Sequence, residues 1–281
     1  MKTIMAIVLL ALNFSNADYL FSQKADYKAS LDELQKMLPA AADSKEKAEV
    51  CWRIARAYLM LGDAAEGKDA KRNLFAQGIA AADQGIAANP SNYKCYMWRS
   101  ANRGRDCQTR PLPQQAAASS QILSDLETIL DKLGRTDYSE AWEALSQVYI
   151  PHPLKSDDAG ISYAYMAALK IPKDEIRIST LVWLANLLYD RNKDASDREK
   201  IIKSNREKYA AVAKSNTAKY AYFEGNASVP WLDSSQKVLS DREEARAIIR
   251  YAESKYNSRT EKTPVDRQDY MELVKLKNKW N

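Results

Sequence analysis

The chain has 281 residues, 46% of them hydrophobic and 28% charged, which supplies a substantial core for one or two domains and excludes a disordered chain. Eight glycines and nine prolines are few for a β-rich protein, and the abundance of Ala, Leu, Lys, Glu, Asp and Gln favours an all-α class. The 42 basic and 37 acidic residues give a formal charge of +5 but are scattered, so they read as solvated helix faces and no nucleic-acid partner is expected.

The first residues read as a secretory leader. Lys2 supplies a positive end, Ile4 to Leu12 is an unbroken apolar run, and Ser15-Asn16-Ala17 fits small-x-small cleavage chemistry. This predicts a leader over 1–17 and a mature, exported chain from Asp18, placed in the periplasm if the host has one. The apolar run is far short of the roughly 20 residues a spanning helix needs. Asp18 rather than Cys at the cleavage point argues against a lipoprotein.

Tyr19 to Leu38 follows as an N-terminal helix with Tyr27, Leu31, Leu34 and Leu38 near helical spacing, and 18–47 is expected to cap what comes next. Ala48 to Asp63 is an amphipathic helix ending in a Gly-containing stop, and a small-residue helix then runs from Leu74 to Ala88, broken by Asn89-Pro90. Gly78 and Gly85 on that helix read as packing positions. The pattern returns at Tyr138 to Tyr149, is followed by a small-residue helix over Ala159 to Ile171 that stops at Pro172, and returns again over Leu181 to Asp190.

These residues resemble the tetratricopeptide repeat, whose first helix carries Trp-x2-Leu-Gly-x2-Tyr and whose second ends at proline. The matching places are Cys51, Ile54, Ala55 and Tyr58, then Trp142, Leu145, Ser146 and Tyr149, then Leu181, Leu184, Ala185 and Leu188. A unit over Tyr93 to Gly104 is degenerate, with Tyr96 in the first place but Arg99 and Arg103 where Leu and an aromatic belong. Equivalent positions Tyr58, Arg103, Tyr149 and Leu188 stand 45, 46 and 39 residues apart, against about 34 in the family, so the hairpins have long helices or looped insertions at Ala64 to Gln77 and Asp106 to Gln121. The resemblance implies an α-α superhelix, a solenoid of helical hairpins over 48–192. The long period, with a leader in front, is also similar to the periplasmic T-component proteins of tripartite transporters.

Over 193–281 the sequence predicts helices at Ser196 to Phe223, Asp241 to Tyr256 and Asp266 to Trp280, packed on the solenoid, the last with Pro264 just inside its start. Three cysteines are too few for a disulfide framework, and Cys95 with Cys107 is the only locally plausible bridge.

No catalytic, metal or cofactor site is predicted. His152 is the single histidine and has no second histidine to share a metal. Dispersed glycines form no phosphate loop, and acidic pairs such as Asp157-Asp158 and Glu243-Glu244 fit helix starts.

Function is therefore expected from binding. The resemblance places Glu49, Trp52, Arg56 and Leu59, then Glu140, Glu143, Gln147 and Ile150, then Ser179, Val182, Asn186 and Tyr189 one turn from the packing positions, on the concave surface. The expected partner residues are Trp52, Arg56, Glu143, Gln147, Asn186 and Tyr189, with core packing open as the alternative for Trp52. The occupant is a protein partner; a small apolar solute and, third, an envelope hydrolase of helical-solenoid type stand as alternatives, and a homo-oligomer is left open.

Overall fold

The computed structural model describes residues 12–150, 157–172, 175, 177–212, 214–233 and 237–280. Most of the leader expected over 1–17, and His152, lie outside the described residues. Within them the chain is all-α, with no strand, and no helix is long and apolar enough to cross a membrane. It divides into two compact units, 1–122 and 123–281.

Unit 1 begins with α1 (Ser15–Ser22) and α2 (Tyr27–Met37), which ends in a 3-10 turn at Leu38–Ala40. The single helix expected over Tyr19 to Leu38 is thus two. Ala25 takes a left-handed φ of 52°, and Asp26 restarts the chain by accepting the Ala29 N–H. The expected mature start at Asp18 falls inside α1, where Ala17 is fully buried and its carbonyl accepts the Ser30 hydroxyl.

The long hairpin of α3 (Ser44–Ala64) and α4 (Lys68–Ala88), then α5 (Tyr93–Gln108) and the start of α6 (Leu112–Glu127), complete the unit. Long helices, not looped insertions, therefore account for the extended period. Asp43 and Asn92 cap α3 and α5 through their side chains. One core layer joins Ala17, Leu31, Leu34, Val50, Ile54 and Ala57; another joins Ala48, Trp52 and Cys95 with Ile86 and Trp98.

The two α4 glycines are packing positions, as expected. A Cβ on Gly85 would lie 2.5 Å from Cys95 Sγ, and one on Gly78 would collide with Asn102 Oδ1. Cys95 and Cys107 both lie on α5, twelve residues and so about 18 Å apart along its axis, far beyond disulfide reach. All three cysteines are free and buried.

In unit 2, α6 runs into a π turn at Thr128–Lys132, and α7 (Ser139–Tyr149) pairs with α8 (Asp157–Leu169), followed by α9 (Ile178–Arg191). Helix α8 is buried continuously from Ala159 to Ala168, as expected of a central helix that is apolar all round. Trp142 is fully buried, donates to the Thr136 carbonyl and meets the rings of Tyr163 and Tyr220.

The helix expected over Ser196 to Phe223 is also two, α10 (Ala195–Ala211) and α11 (Asn216–Tyr220), because Ser215 accepts the Ala218 N–H and starts a new helix. Helices α12 (Asp241–Ser258) and α13 (Pro264–Trp280) pack on α9 through Leu181, Leu184, Leu188, Ile248, Leu273 and Trp280.

A buried ionic network fixes α8, α9, α10 and α12 together. Arg191 reaches Asp158, Glu224 and Asp241, while Arg198 reaches Glu224, Asp241 and Glu244. Tyr165 and Trp231 donate to Glu244. The Glu243-Glu244 pair is therefore split in role: Glu243 forms a capping box with Ser240, as a helix start predicts, whereas Glu244 is a buried partner of Arg198.

Candidate functional site

Most of the places expected to pack do so: Cys51, Ile54 and Ala55 on α3, Trp142, Leu145 and Ser146 on α7, and Leu181, Leu184, Ala185 and Leu188 on α9 are buried, whereas the aromatic places Tyr58 and Tyr149 are only half-buried. The adjoining faces of α7 and α9 then point to the opposite side, and the structure closes that side with α13.

Helix α13 lies beside α9 and runs in the same direction. Near the start, Asp269 accepts the Ser179 backbone N–H at 3.2 Å; at the end, Trp280 stacks on Tyr189 with ring centroids 4.1 Å apart and planes 5° apart. Between α7, α9 and α13 is a cleft of about 450 Å³, within the size range of small-ligand and side-chain pockets. Three of the expected residues, Glu143, Gln147 and Asn186, line it together with Val182, Trp183 and Leu276.

The Trp183 indole is held in place by donating to Ser146 Oγ at 2.9 Å. The fourth expected residue of this unit, Tyr189, lies beyond the cleft's end, sandwiched by Trp280 with Arg242 and Arg246 nearby.

Charge is distributed unevenly along this cleft. At one end Glu143, whose side chain is 15% exposed, accepts from Thr180 Oγ1 at 2.5 Å and from Gln147 at 3.3 Å. Arg177 pairs more closely with Glu140, at 2.8 Å, than with Glu143, at 3.7 Å. Burial raises the Glu143 pKa above its ordinary value; Arg177 and Thr180 oppose this, and Glu140 and Asp269 reinforce it. Asp269 is also raised, again by burial, against the Ser179 hydrogen bonds. At the other end Lys279 is exposed.

Unit 1 places its two expected residues differently. Trp52 is only 4% exposed and donates to Glu49 at 2.8 Å, so it is core and not part of an open groove. Its indole is large enough to fill the space between α3 and α5, and the α3 face it was assigned to is where α5 packs. Arg56 is held by Asp18 at 2.7 Å and lies over the Phe21 ring at 3.8 Å; Arg53 also pairs with Asp18, at 3.1 Å, and lies over Phe14. Helix α1 thus covers this part of α3.

The cleft residues that sequence reasoning missed are Asp269, Glu272, Lys275, Leu276 and Lys279 of α13, and Trp183. Trp183 was visible as an aromatic beside a packing position; the docking of α13 had no local signal. Among the described residues no group of three or more His, Cys, Asp or Glu is disposed to hold a metal ion.

A family model described as Regulator of microtubule dynamics protein 1-3 matches residues 13–122. The match ends where unit 1 ends and covers none of unit 2. No curated protein matches the chain.

Proposed function

We propose that the protein is a helical-hairpin scaffold of tetratricopeptide type that holds a segment of a partner protein in the α7–α9–α13 cleft of unit 2. One observation carries this reading: Glu143, Gln147 and Asn186, assigned to a binding face from the repeat pattern, line one open cleft with an apolar floor of Val182, Trp183 and Leu276. Apolar anchoring with a few fixed polar groups is the chemistry by which helical repeats take up peptide segments. Export through the leader-like start, and a place beside a tripartite transporter, belong to the same proposal.

The test is a photo-crosslinking amino acid at Gln147 or Asn186 in the full chain, with mass spectrometry of the joined peptides. The expected result is one partner segment joined at both positions, whose binding is lost in Asn186→Arg. Crosslinks that fail to converge, or a partner indifferent to Asn186→Arg, overturn the reading. N-terminal sequencing of the protein recovered from its own cell tests the export part.

A second reading rests on unit 1. The family model that matches it is named for regulation of microtubule dynamics, so a microtubule is the alternative partner, and co-sedimentation of the full chain with polymerised tubulin tests it. For the small-solute alternative, the place to look is a cavity of about 570 Å³ in unit 2 lined by Tyr149, Tyr163 and Tyr222.

A further inference from the structure

The parallel run of α13 along α9 gives the cleft an electrical direction. Glu143 and Asp269 stand at the end where α9 begins; among the described residues of the cleft they and Glu140 share the guanidinium of Arg177, so negative charge is in excess there. In the middle, Glu272 and Lys275 neutralise each other at 2.7 Å. At the far end Lys279 leads towards Tyr189, whose ring is approached by the guanidinium groups of Arg242 and Arg246 at 4.7 and 6.0 Å. Asp190, which accepts from Asn186, and Glu243, which feels the charge of Arg246, are acidic groups there. Ten residues of helix separate Asp269 from Lys279, which is about 15 Å.

Resting on the reading of this cleft as a partner site, we infer that it selects a peptide segment with a basic side chain at the Glu143–Asp269 end, an acidic side chain at the Lys279 end about 15 Å away, and an apolar side chain between them. The apolar residue lies against Trp183, Val182 and Leu276. The Glu143 carboxylate is mostly removed from water and shares its 3.7 Å ion partner Arg177 with Glu140, which is closer to that guanidinium at 2.8 Å, so an incoming ammonium or guanidinium group supplies further counter-charge. At the opposite end a carboxylate meets an exposed ammonium, which contributes less to affinity and more to orientation. An extended segment spans this distance in four to five residues at about 3.4 Å each.

The test uses four acetylated, amidated pentapeptides: Lys-Ala-Leu-Ala-Glu, its reversed order Glu-Ala-Leu-Ala-Lys, and the all-basic and all-acidic counterparts. Binding to the full chain is followed by NMR titration. At least one mixed peptide is expected to bind tenfold or more tighter than both uniformly charged ones. In Lys279→Glu, an exposed position whose change leaves the fold intact, the all-basic peptide gains tenfold or more, whereas Lys200→Glu on α10 alters net charge equally and leaves the preference unchanged. Equal binding of all four, no binding of any, or no shift in Lys279→Glu overturns the inference. If crosslinking places a partner segment in the cleft and that segment lacks the charge spacing, the inference fails while the partner reading stands; if no segment is placed there, both fail.

Discussion

The Arg191 guanidinium grips the Glu224 carboxylate through two parallel hydrogen bonds, Nη1 to Oε2 at 2.8 Å and Nη2 to Oε1 at 2.7 Å. Its remaining donors reach Asp241 and Asp158. Burial alone would lower the Arg191 pKa, but its hydrogen bonds and the charges of Asp241 and Glu224 raise it, so the residue stays charged at every working pH. Two buried guanidiniums therefore face three buried carboxylates, Glu224, Asp241 and Glu244.

Arg191→Leu leaves two of those carboxylates short of a partner in a dry environment. The expected loss is about 3–5 kcal/mol of folding stability, read by urea denaturation at neutral pH. Arg191→Lys is expected to recover little of it, since an ammonium group lacks the fork that contacts Glu224 and Asp241 together. A loss under about 1 kcal/mol would show the network to be incidental.

Close packing in unit 1 gives a coupled pair. A methyl group at Gly85 meets Cys95 Sγ at 2.5 Å and Cys51 Cβ at 2.9 Å. Gly85→Ala should cost about 1–3 kcal/mol through overpacking, and Cys95→Ala should make room for it. In a double-mutant cycle the two changes together are then less damaging than their sum. Simple additivity would mean that removing Cys95 Sγ does not relieve the crowding at Gly85.

The packing register of three inner helices was legible because each carries its large and small residues three, one and three apart: Cys51, Ile54, Ala55 and Tyr58 is one such set. The α5 register was not. There Cys95, Ser100 and Asn102 are buried, whereas the expected Tyr96, Arg99 and Arg103 are not. Asn102 fills a core place because its amide donates to the Ala55 and Trp98 carbonyls, and Arg99 is engaged by Asp83. A polar side chain made acceptable by backbone acceptors leaves no periodic signal.

Half of the candidate cleft was likewise legible, the half on α7 and α9. The wall formed by α13 was not, because amphipathic spacing shows which face of a helix is buried but not against what. Val265, Met271 and Val274 of α13 remain exposed, which further blurs the pattern.

Glu143 offers a test of the cleft's electrostatics without any ligand. Its folded-state pKa is raised, burial being the main cause, with Glu140 and Asp269 adding to it and Arg177, on the start of α9, opposing. Raised acid pKa values mean that the folded state holds the proton to higher pH than the unfolded one. Stability therefore falls as pH climbs from the ordinary Glu range through the raised value. Glu143→Gln keeps an acceptor for Thr180 and has no proton to lose, so it should be more stable than the parent at neutral pH and converge with it in acid. Chemical denaturation across this range checks the sign; a less stable variant at neutral pH would mean that the carboxylate is fully compensated by Arg177.

Asp18 has the opposite sign. Burial would raise its pKa, but the hydrogen bonds and charge of Arg53, joined by those of Arg56, hold it below the ordinary Asp range. Its stabilising contribution is then fully present above the unfolded-state pKa, about 3.9, and is lost as pH falls through the lower folded value. Asp18→Asn should be less stable than the parent at neutral pH and indistinguishable from it at the acid end, where both carry a neutral side chain. Because Asp18 is partly solvated, salt should narrow the difference. Acid titration of the full chain, followed by Trp fluorescence with and without added salt, reads both effects. Equal acid transitions in the two proteins would show that α1 is held on α3 without the Asp18 ion pairs, by Ala17 in the core and by the Phe14 and Phe21 rings lying against Arg53 and Arg56.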